Sequence, residues 1–127
     1  MRAIISGVGH YVPDKILSNN DLEKMVETSD EWITTRTGIK ERRILDKEKG
    51  TAYMATRAAR VVLEETQTSP DELDLILLAT VTPDMPVPST VSFIQKNLGA
   101  GNSWGFDING GCTGFTWGSV LLRWALD

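Results

Sequence analysis

The sequence predicts an α/β fold in which a mainly parallel sheet is flanked by helices. Two apolar runs carry the strand signal, residues 73–80 and residues 104–108, and a helix-like segment over residues 89–98 separates them. Strands that alternate with helices favour parallel pairing through right-handed crossovers. The almost continuous apolar character of residues 73–80 is typical of a central strand that is buried on both faces.

The first part of the chain predicts a strand, two short helices and an extended arm. Its apolar, glycine-punctuated start indicates a buried strand over residues 2–8. Capping residues followed by acidic residues predict one helix start at residues 18–20 and another at residues 28–29. The second helix should end near Gly38, and residues 39–44 should form a short exposed strand or extended arm.

A longer helix should begin at a cap on Thr51 and run to about Thr66, with alanines and a valine on one face. The proline-rich loop over residues 82–88 follows the first of the two apolar strands. Sites in parallel sheets lie at the carboxyl ends of the strands. We therefore expect this loop and the turn after residue 108 to lie at one edge of the sheet.

The only cysteine, Cys112, lies in that turn, with Gly110 and Gly111 before it and Gly114 after it. A tight strand-to-helix turn would place its sulfur at a helix N-terminus, where unpaired N–H groups and the helix dipole favour the thiolate. The thiolate is the nucleophilic form, and small neighbours would let a thioester approach closely. Cys112 is thus a candidate nucleophile, and a buried structural cysteine is the alternative.

Composition narrows the class of protein. The chain has 127 residues, 41% of them hydrophobic, which is enough for one modest globular domain. Its net charge of −4 gives no electrostatic reason to expect nucleic-acid binding. A lone cysteine is typical of a protein in a reducing compartment. No apolar run is long enough to span a membrane, and the first residues lack the layout of a signal peptide. We expect a cytoplasmic protein that binds neither nucleic acid nor membrane and holds no metal.

Several stretches resemble β-ketoacyl-[acyl carrier protein] synthase III, a condensing enzyme of type II fatty-acid synthesis. The resemblance implies an incomplete half of a thiolase-like fold, whose complete form has two similar α/β halves. It also implies condensation of an acyl-CoA, typically acetyl-CoA, with malonyl-carrier protein. The resemblance rests on residues 21–26, residues 28–33 (Thr-Ser-Asp-Glu-Trp-Ile), residues 35–39 (Thr-Arg-Thr-Gly-Ile) with residues 41–43, and residues 106–108 leading to Cys112.

The same resemblance implies roles for individual residues. Cys112 matches the acylated nucleophile, Trp32 the residue that stacks on the adenine of coenzyme A, and Thr28 and Arg36 further coenzyme A contacts. An indole face suits a purine and a guanidinium suits phosphate. The alternatives are a core tryptophan on an amphipathic helix and a solvated surface arginine. Coenzyme A would enter as the thioester substrate, and no resident cofactor is expected.

Val87 stands where many members of the family carry a phenylalanine that crosses a dimer interface and lines the acyl pocket. The resemblance therefore implies a homodimer, and the smaller side chain would leave more room for the primer.

The chain also departs from the family. It is far too short, and the family's catalytic histidine and asparagine lie in the second half. The only histidine here is His10, which we expect to be structural, and Asn102 and Asn109 have no matching context. The alternative function is therefore a truncated, catalytically incompetent module that binds coenzyme A or associates with a partner.

The end of the chain allows two structures. Residues 1–114 read as the thiolase-like region, and residues 115–127 as a tail that resembles the family's extreme C-terminal strand. As a strand over residues 117–124, one face would be uniformly apolar, with Val120, Leu122 and Trp124. As a helix, the segment would carry Gly118 in its interior at a cost of about 1 kcal/mol. We expect the strand, and a helix would instead support a reactive cysteine.

Overall fold

The computed structural model describes residues 4–125. These fall into two units, a smaller one over Val12–Glu48 and a larger one formed by the chain on either side of it.

The smaller unit pairs two short antiparallel strands and carries two helices. Its elements are β1 (Ile16–Ser18), α1 (Asn19–Glu23), α2 (Asp30–Thr37) and β2 (Glu41–Arg43).

Local capping explains where these helices begin and end. Ser18 accepts a hydrogen bond from the Asp21 N–H and donates its own N–H to the Asp21 carboxylate, a reciprocal capping box. Ser29 caps α2 by accepting from the Trp32 N–H. Gly38 ends α2 with a φ of 71°, a conformation that glycine adopts without steric cost. The predicted helix starts and the end near Gly38 are confirmed.

Asn19 holds the smaller unit together from its centre. The residue is 1% exposed, and its amide nitrogen donates to the Asp30 carboxylate at 2.7 Å and to the Ile39 carbonyl at 2.8 Å. Its side-chain oxygen accepts a hydrogen bond from Arg42 at 2.7 Å. One buried amide therefore joins α1, α2 and β2.

The larger unit contains a two-stranded parallel sheet with helices around it. Its helices are α3 (Thr51–Thr66), α4 (Thr90–Leu98) and α5 (Gly114–Ala125), its strands are β3 (Leu75–Ala79) and β4 (Trp104–Ile108), and 3₁₀ turns cover Pro70–Glu72 and Gly111–Thr113. The α/β class and the parallel pairing are confirmed.

Helices α4 and α5 lie on opposite faces of this sheet. Side chains alternate between the two faces along a strand. Asp107 of β4 accepts hydrogen bonds from the start of α4, so its side of the strand faces α4. The neighbouring Ile108 faces the other way and contacts α5 at Gly118. The fully buried apolar residues lie mainly on α4 and just after it, at Val91, Ile94 and Ala100.

The expected strand over residues 2–8 does not form in its described part. Residues 4–8 have no regular secondary structure, and Ile4, Ile5 and Val8 are exposed. A strand needs a neighbour that satisfies its backbone groups, and none of the described strands pairs with this segment. The segment instead runs against α3, where a side chain at Gly9 would lie 2.6 Å from the Ala58 carbonyl oxygen.

Two smaller expectations for the larger unit also change. β3 is half-buried rather than buried on both faces, because the sheet around it has only two strands in the described part of the chain. Thr51 is the first residue of α3 and not its cap. Gly50 is the N-cap residue, and no side chain of its own caps the helix.

The end of the chain is helical, so the favoured strand over residues 117–124 is wrong. α5 lies flat on the sheet through its glycines: a Cβ on Gly114 would be 3.0 Å from that of Ala79, and one on Gly118 would be 3.6 Å from Ile108. The interior glycine that weakens a helix in isolation here allows close helix–sheet packing. None of the described helices is long and apolar enough to cross a membrane.

Candidate functional site

Cys112 lies in a tight turn between β4 and α5. The Thr113 N–H and hydroxyl both donate to the Gly110 carbonyl, at 3.1 and 2.7 Å, and close the turn. Gly111 has a φ of 53°, which favours glycine at this position. Two residues after Cys112, α5 begins at Gly114. The predicted arrangement of strand, cysteine turn and helix is therefore present.

The cysteine is a free thiol on an exposed residue. The alternative of a buried structural cysteine is therefore wrong. The flanking glycines also have a packing role, because a Cβ on Gly110 would lie 3.2 Å from the backbone of Gly114. Small residues thus close the turn and leave the approach to the thiol open.

The proline-rich loop follows β3 at the same edge of the sheet. Ala79 and Ile108 are register partners at the ends of the two parallel strands, and the Thr80 N–H donates to the Ile108 carbonyl at 3.0 Å. The loop and the cysteine turn therefore both leave the carboxyl edge, as predicted. Val87, in this loop, is 84% exposed.

Two aspartates anchor this edge, and neither was predicted from the sequence. Asp107 accepts hydrogen bonds from the Thr90 and Val91 N–H groups at 2.7 and 2.8 Å, and so caps α4. Asp84 accepts from the Ala52 N–H at 3.2 Å and so caps α3. Neither helix has a local side-chain cap. These long-range carboxylates take the place of local caps and satisfy N–H groups at the helix starts.

Thr90 bonds to both aspartates, to the carboxylate of Asp107 and to the backbone N–H of Asp84. It is fully buried, its N–H donates to Asp107, and its hydroxyl accepts a hydrogen bond from the Asp84 N–H at 2.9 Å. The loop that carries Val87 is thereby tied to β4. The sequence feature that could have indicated the role of Asp107 is its position as an acidic residue inside an otherwise apolar strand, Phe-Asp-Ile at residues 106–108.

The three expected coenzyme A residues lie together in the smaller unit. Trp32 is 52% exposed on α2, and the Arg36 guanidinium, one turn later, lies 4.4 Å from its ring centroid. Thr28 precedes the cap of the same helix and, with Glu27, Ser29 and Trp32, lines a depression of about 310 Å³. The buried residue of α2 is Ile33, so the alternative that Trp32 is a core residue is wrong.

The other polar residues considered from the sequence have ordinary surroundings. His10 is exposed in an irregular segment. Asn102 donates to the Asp71 carbonyl at 3.0 Å, which is a structural contact. Among the described residues, no group of three or more histidine, cysteine, aspartate or glutamate side chains could hold a metal ion.

Comparison with known proteins gives one consistent result. No family model matches the chain. A curated beta-ketoacyl-[acyl-carrier-protein] synthase III from Caldanaerobacter subterraneus is 59% identical over 119 residues, which are 94% of this chain and 36% of that protein. The protein of the same name from Chlorobaculum tepidum is 54% identical, over 93% of this chain and 36% of its own length.

A solved structure agrees with these relatives. The crystal structure of 3-oxoacyl-[acyl-carrier-protein] synthase III from Aquifex aeolicus superposes with a TM-score of 0.89 at 52% identity, over 93% of this chain and 38% of that one. The thiolase-like α/β fold implied by the resemblance is therefore present in part. This chain is a close relative, in sequence and in structure, of β-ketoacyl-[acyl-carrier-protein] synthase III, and it spans about a third of the length of the curated relatives that it matches.

Proposed function

We propose that this chain performs the first half of a β-ketoacyl synthase III reaction, in which Cys112 accepts an acyl group from an acyl-CoA such as acetyl-CoA. The observation that carries the proposal is the placement of Cys112. It is an exposed thiol on a glycine-lined turn at the carboxyl end of a parallel strand, directly before a helix.

The proposed chemistry is a thioester exchange. The Cys112 sulfur, as thiolate, attacks the carbonyl carbon of the acyl-CoA and forms a tetrahedral oxyanion. The bond between that carbon and the coenzyme A sulfur then breaks, coenzyme A leaves as its thiolate, and the acyl group stays on Cys112. The open approach created by the neighbouring glycines supports this step.

Recognition of coenzyme A is assigned to the smaller unit. A half-exposed indole offers a flat face for adenine, and the guanidinium beside it can bind phosphate oxygens. Thr28 borders the same depression. The adenosine end of coenzyme A is thus proposed to bind at Trp32, with Arg36 on a phosphate group.

The second half of the reaction is proposed for the complete enzyme. There the acyl group would pass to a carbanion from malonyl-carrier protein, with loss of carbon dioxide. Val87 is highly exposed in its loop, which supports a role at the interface of a homodimer and in the acyl pocket. No cofactor beyond the coenzyme A thioester is required for these steps.

A second candidate function is a module that binds coenzyme A or a partner without completing catalysis. It is favoured by the single histidine, because His10 lies exposed in an irregular segment. This candidate keeps the coenzyme A site but predicts no condensation.

A two-step assay separates these functions. The chain is first incubated with radiolabelled acetyl-CoA, and label on the protein is compared with that on a Cys112→Ser variant. Malonyl-carrier protein is then added, and labelled acetoacetyl-carrier protein is measured. Label on Cys112 supports acyl transfer, and its discharge supports full condensation. Coenzyme A binding without label on Cys112 supports the binding module instead.

A further inference from the structure

Both tyrosines of the chain lie side by side in the larger unit. Tyr53 is the third residue of α3, and its ring meets that of Tyr11 edge to face, with ring centroids 5.8 Å apart and planes at 78°. Both residues are half-buried, so neither is shut off from solvent. The two phenols of the chain therefore share one environment, and their reactivities can be compared directly.

Two positive charges lie against this pair of rings. The Arg57 guanidinium, one helical turn after Tyr53, lies 4.8 Å from the Tyr53 ring centroid and 5.3 Å from that of Tyr11. The Lys49 ammonium lies 4.8 Å from the Tyr53 ring centroid. We call these four residues the phenol cluster: Tyr11, Lys49, Tyr53 and Arg57. Arg57 is exposed and forms no ion pair among the described residues, so no carboxylate there cancels its charge.

The surroundings of Tyr53 favour the phenolate form of its side chain. Both cations lie against its ring, and it belongs to the first turn of α3, where the positive end of the helix dipole favours a negative charge. Desolvation acts to raise the pKa of this phenol, but a hydrogen bond with Tyr11 and the charges of Arg57 and Lys49 leave the pKa below its usual value. Tyr11 instead lies in an irregular segment. Since the phenolate is the nucleophilic form, Tyr53 should be the more reactive of the two tyrosines.

The same charges indicate which electrophile fits the phenol cluster. A guanidinium binds phosphate oxygens through charge-assisted hydrogen bonds, and an ammonium attracts them as a point charge. An acyl phosphate carries a reactive carbonyl carbon bonded directly to a phosphate group. One such molecule supplies an electrophile for Tyr53 and an anion for Arg57 and Lys49, whereas a neutral acyl donor has no group for the two cations.

We propose that Tyr53 is a modification site that takes an acyl group from an acyl phosphate. The phenolate oxygen attacks the carbonyl carbon, the bond from that carbon to the phosphate oxygen breaks, and inorganic phosphate leaves with the electron pair. The product is an aryl ester on Tyr53, and the phenol proton passes to water. Cys112 takes no part in this step, so the proposal stands whether or not that thiol reacts with a thioester.

The test is incubation of the chain with acetyl phosphate after Cys112 has been blocked with iodoacetamide. Peptide mapping by mass spectrometry measures the acetyl group on each residue over time, and hydroxylamine separates an aryl ester, which it cleaves, from an acetylated lysine, which it leaves intact. We expect acetylation of Tyr53 at least tenfold faster than that of Tyr11. Equal acetylation of the two tyrosines, or none on Tyr53, overturns the proposal.

A pair of variants tests the role of the neighbouring charge. Arg57→Gln removes the guanidinium from the phenol cluster, and Arg60→Gln removes the same charge from an exposed position three residues later on α3. Circular dichroism checks that both variants fold. Arg57→Gln should slow the acetylation of Tyr53 at least fivefold, whereas Arg60→Gln should leave the rate unchanged. Equal rates in the two variants would overturn the assignment of Arg57 to the phosphate group.

Competition in the parent chain tests recognition of the phosphate without any substitution. Inorganic phosphate should slow the acetylation of Tyr53 by acetyl phosphate. N-Acetylimidazole carries no phosphate, so inorganic phosphate should leave its reaction with Tyr53 unchanged. Inhibition of both donors alike, or of neither, would contradict a site that selects an acyl phosphate.

Discussion

The Arg36 guanidinium covers the Trp32 indole, with its central carbon 4.4 Å from the ring centroid. The two residues are one helical turn apart on α2, and the indole remains half-exposed. A cation over an exposed indole contributes about 0.5–1 kcal/mol. A purine that binds here must share the ring with the guanidinium or use its other face, so the two residues should act together in coenzyme A binding.

Replacement of Trp32 by alanine should weaken coenzyme A binding by about 1–3 kcal/mol, the range for loss of one base–aromatic stack. Isothermal titration calorimetry with coenzyme A measures the change. Trp124→Ala is the matched control, because Trp124 is also exposed but lies on α5 in the larger unit. Equal affinities of the parent chain and Trp32→Ala for coenzyme A would contradict the proposal that Trp32 stacks on adenine.

Arg36→Gln should weaken coenzyme A binding at low salt, because it removes the charge proposed to meet a phosphate group. The difference from the parent should shrink at high salt, where exposed charges are screened. Arg36→Lys keeps the charge and should retain part of the affinity. A loss that is independent of salt and equal in both variants would contradict a phosphate contact.

Asn19→Ala should destabilise the smaller unit by about 1–3 kcal/mol. The substitution removes the part-buried hydrogen bonds that the buried Asn19 side chain makes with Arg42 and with the Ile39 carbonyl. Chemical denaturation followed by circular dichroism measures the effect. The neighbouring Asn20 is exposed, so Asn20→Ala should change stability by no more than about 0.5 kcal/mol. Similar losses in both variants would mean that the buried amide has no special role.

The phenol of Tyr53 should make the stability of the folded state depend on pH. Desolvation acts to raise the pKa of its phenol, but a hydrogen bond with Tyr11 and the charges of Arg57 and Lys49 outweigh it and leave the pKa below 10.0. Since the folded state loses this proton more readily than the unfolded chain, the group adds stability above pH 10. That stability is lost as the pH falls through the folded pKa.

The ionisation of Tyr53 can be followed directly by NMR of ¹³C-labelled tyrosine. Its resonance should titrate below pH 10, and Arg57→Gln should raise the midpoint because a neighbouring positive charge is removed. Stability curves of Tyr53→Phe should lack the gain at high pH. A midpoint that does not move in Arg57→Gln would show that this charge does not act on the phenol.

Features set by near neighbours in the sequence could be predicted. Ser29 and Gly38 bound α2, and Gly99 ends α4, because caps and glycine stops act within a few residues. The cysteine turn belongs to the same class, since its glycines, strand and helix are adjacent in the chain. Exposure of Trp32 and Cys112 then excluded the buried alternative at each residue, and their functional roles stay predictions.

Features that depend on distant partners could not be predicted. Asp84 caps α3 from 32 residues away, and Asp107 caps α4 from 17. The short strand β1 exists only because β2 pairs with it. The apolar patterns of residues 4–8 and of residues 117–124 both suit a strand. Neither segment forms one, because neither pairs with a strand of the described sheets.

The most direct test of the account is the mass of the chain after incubation with acetyl-CoA. We predict one added acetyl group, located by peptide mapping on Cys112, absent from Cys112→Ser and slower to form in Trp32→Ala. Alkylation by iodoacetamide in parallel reports whether the thiol is accessible. Rapid alkylation of Cys112 with no acetyl adduct would contradict the proposal that this cysteine takes an acyl group from coenzyme A.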